Sequence, residues 1–261
     1  NSTPLWTYTN SQGAIISVAI ASDGEYIVIG TGDNKVRLFD KDSSTPIWSY
    51  TGISDIRSVD ISADGEYIVA GGRGSTDENG KIYVFDKYSS TPLWTRSTNG
   101  EVNQVAISAD GKYVVAGTED GENKVYFFDM SSSSPLWTKS AGSGHAVTRV
   151  DISANGSYIV AGTGDYAQSG SQYIYLFSKD SNTQIWKATI AEDVRSLKIS
   201  EDGQYITAGS ATDKVYLFGK GSNVPLWNYI TENEVHSVSL SVDGKYIVAG
   251  SYDDKVYLFD K

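Results

Sequence analysis

Cysteine is absent from the sequence, which removes disulfide frameworks, thiol nucleophiles and Cys-based zinc or iron–sulfur sites together. Histidine occurs twice, at His145 and His236, in different segments of the chain, so no metal triad and no Ser-His-Asp set is expected. No apolar run is long enough to cross a membrane, and Asn1 to Tyr8 lack the basic start and apolar centre of a signal peptide. The chain as it stands is expected to be soluble. Positive charge is also scarce: 21 Lys and Arg stand against 32 Asp and Glu, a net charge of −11. Such a field repels phosphate backbones and anionic lipid, so neither nucleic acid nor membrane insertion is expected.

What is present is apolar and repetitive. With 39% hydrophobic and 12% aromatic residues, the chain can build a core without covalent or metal staples. The abundance of Ser, Thr, Asn and Gly on an acidic background suits an extracellular or cell-surface domain. Asn1-Ser-Thr and Asn155-Gly-Ser match the N-glycosylation pattern.

One unit is written six times. The turn dipeptides Asp23-Gly24, Asp64-Gly65, Asp110-Gly111, Asn155-Gly156, Asp202-Gly203 and Asp243-Gly244 recur at intervals of 41, 46, 45, 47 and 41 residues between their glycines. Each unit carries four strand-length runs rich in Val, Ile, Tyr and Phe and bounded by Gly, Asp or Ser. In the last copy these are Val235 to Ser241, Tyr246 to Gly250 and Lys255 to Phe259, with Pro4 to Tyr8 as the fourth. No segment has a helical period. The fold class is all-β: a six-bladed β-propeller of four antiparallel strands per blade, named a to d from the inside outward. The blades span about 14–50, 55–96, 101–139, 145–188, 193–230 and 234–261 plus 1–9. The N-terminal strand is expected to complete the last blade and close the ring.

All six tryptophans (Trp6, Trp48, Trp94, Trp137, Trp186, Trp227) occupy one position in strand d. Every proline lies two residues before such a Trp, and all seven phenylalanines fall in strand c. These aromatics are read as core packing between blades.

The stretch VHSVSLSVDGKYIVAGSYDDKVYLF, Val235 to Phe259, resembles a WD repeat in its Asp-Gly turn, the small residues ending strand b and the aspartate before strand c. Phe259-Asp260 stands where that family has Trp-Asp, and its Gly-His pair appears only as Gly144-His145, so the family's His-to-Asp network carries over to His145 alone. Val36 to Tyr50 and Val125 to Trp137 are similar to the tryptophan-bearing repeat of pyrroloquinoline-quinone-type propellers. Both resemblances imply a propeller that binds proteins or glycans; neither carries over a catalytic residue.

Comparing the copies with one another separates two faces. From the strand-a aliphatic to the strand-b Tyr the step is always 8, and from the strand-c Phe to the strand-d Trp always 9. The b-to-c loops of the other face diverge: 31–34, 72–80, 118–123, 163–172, 210–213 and 251–254. The long loops of blades two, three and four form the first candidate site, with Arg73, Asp77, Glu78, Glu119, Asp120, Glu122, Asp165 and Tyr166; they read equally as tolerated insertions. The second candidate lies two residues before the strand-a aliphatic, at Ile16, Arg57, Asn103, Thr148, Arg195 and His236, with Arg149 beside it. A positive mouth of this kind would take a carboxylate by bidentate hydrogen bonds. The alternative is local pairing of each Arg with an acid such as Asp60, Asp151 or Asp193. Asp33, Asp213, Asp253 and Asp254, before strand c, are read as turn residues rather than calcium ligands.

The expected function is a non-catalytic protein- or glycan-binding or scaffolding propeller domain, part of a secreted or cell-surface prokaryotic protein, with no metal and no cofactor. The alternatives are a hydrolase or quinone-linked oxidoreductase with its site at the channel mouth, or an architectural spacer.

Overall fold

The computed structural model describes residues 2–74, 79–119, 121–164 and 170–261. Its elements are strands only, arranged as six antiparallel sheets in chain order. Blade one holds β1 (Ile15–Ile20), β2 (Tyr26–Thr31), β3 (Lys35–Asp40) and β4 (Trp48–Thr51). Blade two holds β5 (Ile53–Ile61), β6 (Tyr67–Gly74), β7 (Gly80–Asp86) and β8 (Trp94–Ser97). Blade three holds β9 (Val102–Ile107), β10 (Tyr113–Thr118), β11 (Lys124–Asp129) and β12 (Pro135–Ser140). Blade four holds β13 (Ala146–Ile152), β14 (Tyr158–Gly164), β15 (Gln172–Ser178) and β16 (Gln184–Ile190). Blade five holds β17 (Val194–Ile199), β18 (Tyr205–Ser210), β19 (Lys214–Gly219) and β20 (Trp227–Ile230). Blade six has three strands, β21 (Val235–Leu240), β22 (Tyr246–Ser251) and β23 (Val256–Asp260).

The constant turn between strands a and b has a local cause. In blade two Ser62 Oγ donates to Asp64 Oδ1 at 2.6 Å and accepts the Tyr67 N–H at 3.0 Å, while Gly65 takes φ +69°. Ser108, Ser153, Ser200 and Ser241 repeat the same pair of bonds in the next four blades. A turn closed by its own side chains has no slack for an inserted residue.

Each blade is finished by its neighbour. The five apolar clusters of the structure are not within sheets but between consecutive ones, from blades one and two through to blades five and six. The strand-d indole of one blade meets the strand-c Phe of the next: Trp48–Phe85, Trp94–Phe128, Trp137–Phe177, Trp186–Phe218 and Trp227–Phe259 have ring centroids 5.1–5.5 Å apart. Four of these indole N–H groups also donate to a backbone carbonyl of that next blade, at Lys87, Met130, Lys179 and Lys220. At the inner end a glycine of strand b admits the next strand a: a Cβ on Gly117 would stand 2.7 Å from Val147 Cγ1 and 2.9 Å from the Val147 carbonyl oxygen.

The six-bladed all-β reading holds; the expected pairing of the N-terminal strand with the last blade is not seen. Residues 3–9 form no strand of any sheet, and the sixth sheet has three strands. Trp6 is nevertheless seated on blade one, 5.6 Å from the Phe39 ring, its N–H donated to the Lys41 carbonyl at 2.6 Å. The indole thus finds its partners on blade one without β23.

Gly117→Ala is expected to lower stability by about 1–3 kcal/mol through overpacking against Val147, read as a shift of the urea midpoint at unchanged slope.

Candidate functional site

The second candidate position is a structural singularity. In all six blades the register between strands a and b slips at this position, where the skipped residue is Ile16, Arg57, Asn103, Thr148, Arg195 or His236; blade two has a second slip, at Asp55. A β-bulge re-aims the side chain it carries. In Arg57, Asn103, Thr148 and Arg195 it turns the side chain along the channel rim toward the following blade.

Arg57 shows what this position does. Its Nη2 lies 2.5 Å from Glu101 Oε2 and 3.3 Å from Asp55 Oδ2, and its Nη1 lies 3.4 Å from Glu119 Oε1. Arg73 takes the other oxygen of Glu101. Asn103 donates to Glu119 Oε2 at 2.9 Å and to the Val147 carbonyl at 3.3 Å, carrying the network into blade four. The Glu101 and Glu119 side chains are only 6% exposed. Two buried carboxylates of blade three are therefore neutralised by arginines of blade two.

The rim continues in the same style. Arg149 Nε donates to the Arg195 carbonyl at 2.5 Å and its Nη1 to the Thr148 carbonyl at 2.7 Å. Arg195 lies 3.3 Å from Asp193 and 3.2 Å from Glu234. His236 is exposed and stacks on the exposed Tyr252 ring with centroids 4.2 Å apart.

Arg57, Arg73, Asn103 and Glu119 thus come together, Arg149 and Arg195 form a second group, and His236 a third. Asp77, Glu78, Asp120, Asp165 and Tyr166 lie outside the described residues. Local pairing of the arginines with acids is what the structure shows, with a correction of partners. Asp193 pairs as expected, but Asp60 and Asp151 lie at the opposite end of strand a, where none of these guanidinium groups is bonded to them. The residue step along a strand carries a side chain about 3.3 Å per position, so three positions separate the two channel ends. His145 is also corrected: its Nδ1 faces Gln172 Oε1 at 3.2 Å and its ring meets Tyr173, so no His-to-Asp bond forms there.

The aspartates before strand c serve their turns. Asp213 and Asp254 sit in the left-handed region, with φ of 59° and 64°. Asp253 accepts from the Glu232 and Lys255 N–H groups. Asp33 is gripped by Arg37, whose guanidinium holds that carboxyl well below the usual carboxylate range.

Sequence reasoning missed the other end of the channel. One residue past the strand-a aliphatic the copies read Ala19, Asp60, Ala106, Asp151, Lys198 and Ser239, and four of these, Asp60, Asp151, Lys198 and Ser239, line a cavity of about 280 Å³ together with Glu201. The alternation of small and charged residues at one repeat position was the available signal. Asp60 accepts the Ile61 N–H at 2.9 Å and the Ile107 N–H of blade three at 3.0 Å. Asp151 accepts the Ile199 N–H of blade five at 2.9 Å, and Lys198 Nζ stands 3.5 Å from its other oxygen. Burial pushes the Asp60 carboxyl up to about 6, and the Asp151 carboxylate raises Lys198 above its ordinary value. These groups tie strands a of consecutive blades together; among the described residues no cluster of three or more His, Asp or Glu is arranged to hold a metal ion.

Because the Asp60 pKa is raised on folding, its stabilising contribution is complete below the unfolded value near 4 and is lost as pH rises through 6. Asp60→Asn is expected to gain about 1–2 kcal/mol relative to the parent between pH 4 and pH 7, after allowance for solvent in the channel. Urea titrations at the two pH values check this; parallel stability curves would refute it.

The family model of the WD domain, G-beta repeat, matches residues 2–40, 44–86, 90–126, 135–167 and 224–260. The last four matched segments begin in or just before the outer strand of one unit and run into the inner strands of the next, and the first begins at residue 2, ahead of β1, so the sequence repeat is offset from the sheet by one strand. Strands β15 to β19 lie in the stretch left unmatched between 167 and 224. No curated protein matches the chain. With more than half of its residues matched and its sheets following the repeat, the chain belongs to the WD40 family, whose domains generally mediate protein–protein interaction and scaffolding and are typically non-catalytic.

Proposed function

We propose that this chain is a non-catalytic binding module that presents the face bearing the b-to-c loops and the bulged rim to a protein partner. One observation carries the reading: the copies keep identical turn lengths on one face and differ in loop length and rim chemistry on the other. Rigid scaffolds carry recognition on such variable loops. The rim is stiffened by cross-blade ion pairs, so a partner meets a preorganised surface. Its charges are largely neutralised in pairs, which favours an extended contact over capture of one small anion. Arg57 in particular is already held by three carboxylates.

A glycan is the second occupant that this face supports, on the strength of the exposed Tyr252 ring against His236, 58% exposed, beside Arg195 and Glu234 of the same rim. An aromatic plane flanked by hydrogen-bonding groups suits a sugar ring. The Ser-, Thr- and Asn-rich acidic composition supports a secreted or cell-surface setting in a prokaryote.

The test is a binding screen against a panel of surface proteins and glycans, repeated with Arg195→Ala/His236→Ala and with Lys112→Ala/Lys245→Ala on the opposite face. The rim variant is expected to weaken binding about tenfold or more, as for a central interface residue, and the opposite-face variant to leave it within about twofold. The reverse order would overturn the assignment of the face.

A further inference from the structure

The two ends of the channel treat charge differently. At the bulged rim the guanidinium groups of Arg57, Arg73, Arg149 and Arg195 each meet a carboxylate or a carbonyl of the same or the next blade. At the a-to-b end three carboxylates, Asp60, Asp151 and Glu201, share the cavity of about 280 Å³ with a single cation, Lys198. All six blades contribute to that cavity, from Ser22 of blade one to Leu240 of blade six, so it lies on the axis of the ring and is not a crevice of one joint.

Asp60 is fixed in place but has no counter-ion. Its Oδ1 accepts the Ile61 N–H at 2.9 Å and its Oδ2 the Ile107 N–H at 3.0 Å, and among the described residues no lysine or arginine nitrogen lies within 4 Å of it. Glu201, exposed at the mouth, is likewise without a cation partner among the described residues. Lys198 serves Asp151 alone, at 3.5 Å, longer than the roughly 2.7–2.9 Å of a charge-assisted hydrogen bond. Three carboxylates against one ammonium therefore leave two negative charges over when all are ionised. The walls around them are aliphatic: Ile61, Ile107, Ile152, Ile199 and Leu240, each one position beyond the small or charged residue of its strand, line the same cavity. A metal ion fits this setting poorly, because each oxygen of Asp60 already accepts an N–H and the acids are not arranged as a ligand set among the described residues.

We propose that this cavity binds a small alkyl diammonium ion, with one ammonium on Asp60, the other toward Glu201 at the mouth, and the methylene chain against the isoleucine walls. Two positive charges match the two carboxylates that lack a cation, and the alkyl segment matches the apolar surface beside them. A five-carbon diamine has seven non-hydrogen atoms, which at about 30 Å³ each, water's share of liquid volume, occupy roughly 210 Å³ and so fit the space. The site is at the opposite end of the channel from the loop face and stands or falls independently of the partner assigned to that face. Binding needs the ionised form of Asp60, whose carboxyl is pushed up to about 6 by burial. The charged groups that face it are Lys198 and Asp151, with Glu201 in the same cavity, while the neighbouring strands place Ala19, Val69 and Ala106 beside it. Affinity is therefore expected to fall about tenfold from pH 7 to pH 5, as that carboxyl takes up its proton.

Isothermal titration calorimetry at low salt, with cadaverine as the probe and pentylamine as the control that keeps the chain and loses one charge, tests the proposal. Cadaverine is expected to bind about tenfold more tightly than pentylamine or better. Asp60→Asn is expected to weaken cadaverine binding about tenfold and to remove its pH dependence between 5 and 7. Lys198→Met takes away the competing ammonium and is expected to tighten binding about threefold or more, a direction that damage to the fold would not produce. Glu192→Gln, exposed ahead of β17 at the far end of that strand, is expected to leave affinity within about twofold. No heat of binding at millimolar cadaverine, equal affinity for the two amines, Asp60→Asn binding as the parent does, or Lys198→Met binding no more tightly than the parent would each overturn the proposal.

Discussion

Everything in this structure depends on the approach of one blade to the next. A four-stranded sheet of this sequence cannot bury both of its faces alone, and the five apolar clusters lie between sheets, not inside them. Two features set the spacing. A glycine in strand b lets the following strand a come within contact of the backbone, and at the outer edge a tryptophan fills the wedge that opens as sheets splay from the channel. The indole N–H is satisfied across most of the same joints, so an amphipathic ring is buried without an orphaned donor.

That division of labour leaves one face of the ring rigid and the other open to change. On the rigid face a Ser side chain with an Asp or Asn closes the a-to-b turn of blades two to six, and backbone bonds run from turn to turn, Ser22 to Ala63, Ala63 to Ala109, Asp110 to Ala154 and Ala154 to Glu201. An insertion there would break bonds to two blades. The opposite face meets no such constraint, and the bulge at the start of strand a frees one side chain per blade to differ. Charge is spent accordingly: in a chain of net charge −11, four of the six arginines are at or near this rim, three of them held by carboxylates of the same or the next blade.

The end blades obey the same chemistry as the others but lack a neighbour. Their exposed valines and leucines are ordinary core residues by sequence, indistinguishable from copies that are fully buried. Exposure at these sites is a property of position along the chain and not of composition.

Much of this was legible in the residues: the period of the Asp-Gly turns, the four strands of each unit, the aromatic pairs, and the separation of a constant face from a variable one all follow from short-range spacing, because a strand alternates and a turn has a fixed length. The rim position was legible as a repeat position too, but not as a bulge, since an extra residue in one strand shows only against its partner. The acids that hold the arginines were misjudged for a related reason. Asp60 and Asp151 are near in sequence, yet the strand carries them to the far end of the channel, while Glu101, Glu119 and Glu234 arrive from other blades. By itself the sequence determined the unit, its repetition and the chemistry of the joint. Tertiary structure alone decided which charges meet, because that depends on the direction of each strand and the offset of one blade from the next, quantities that no single unit contains.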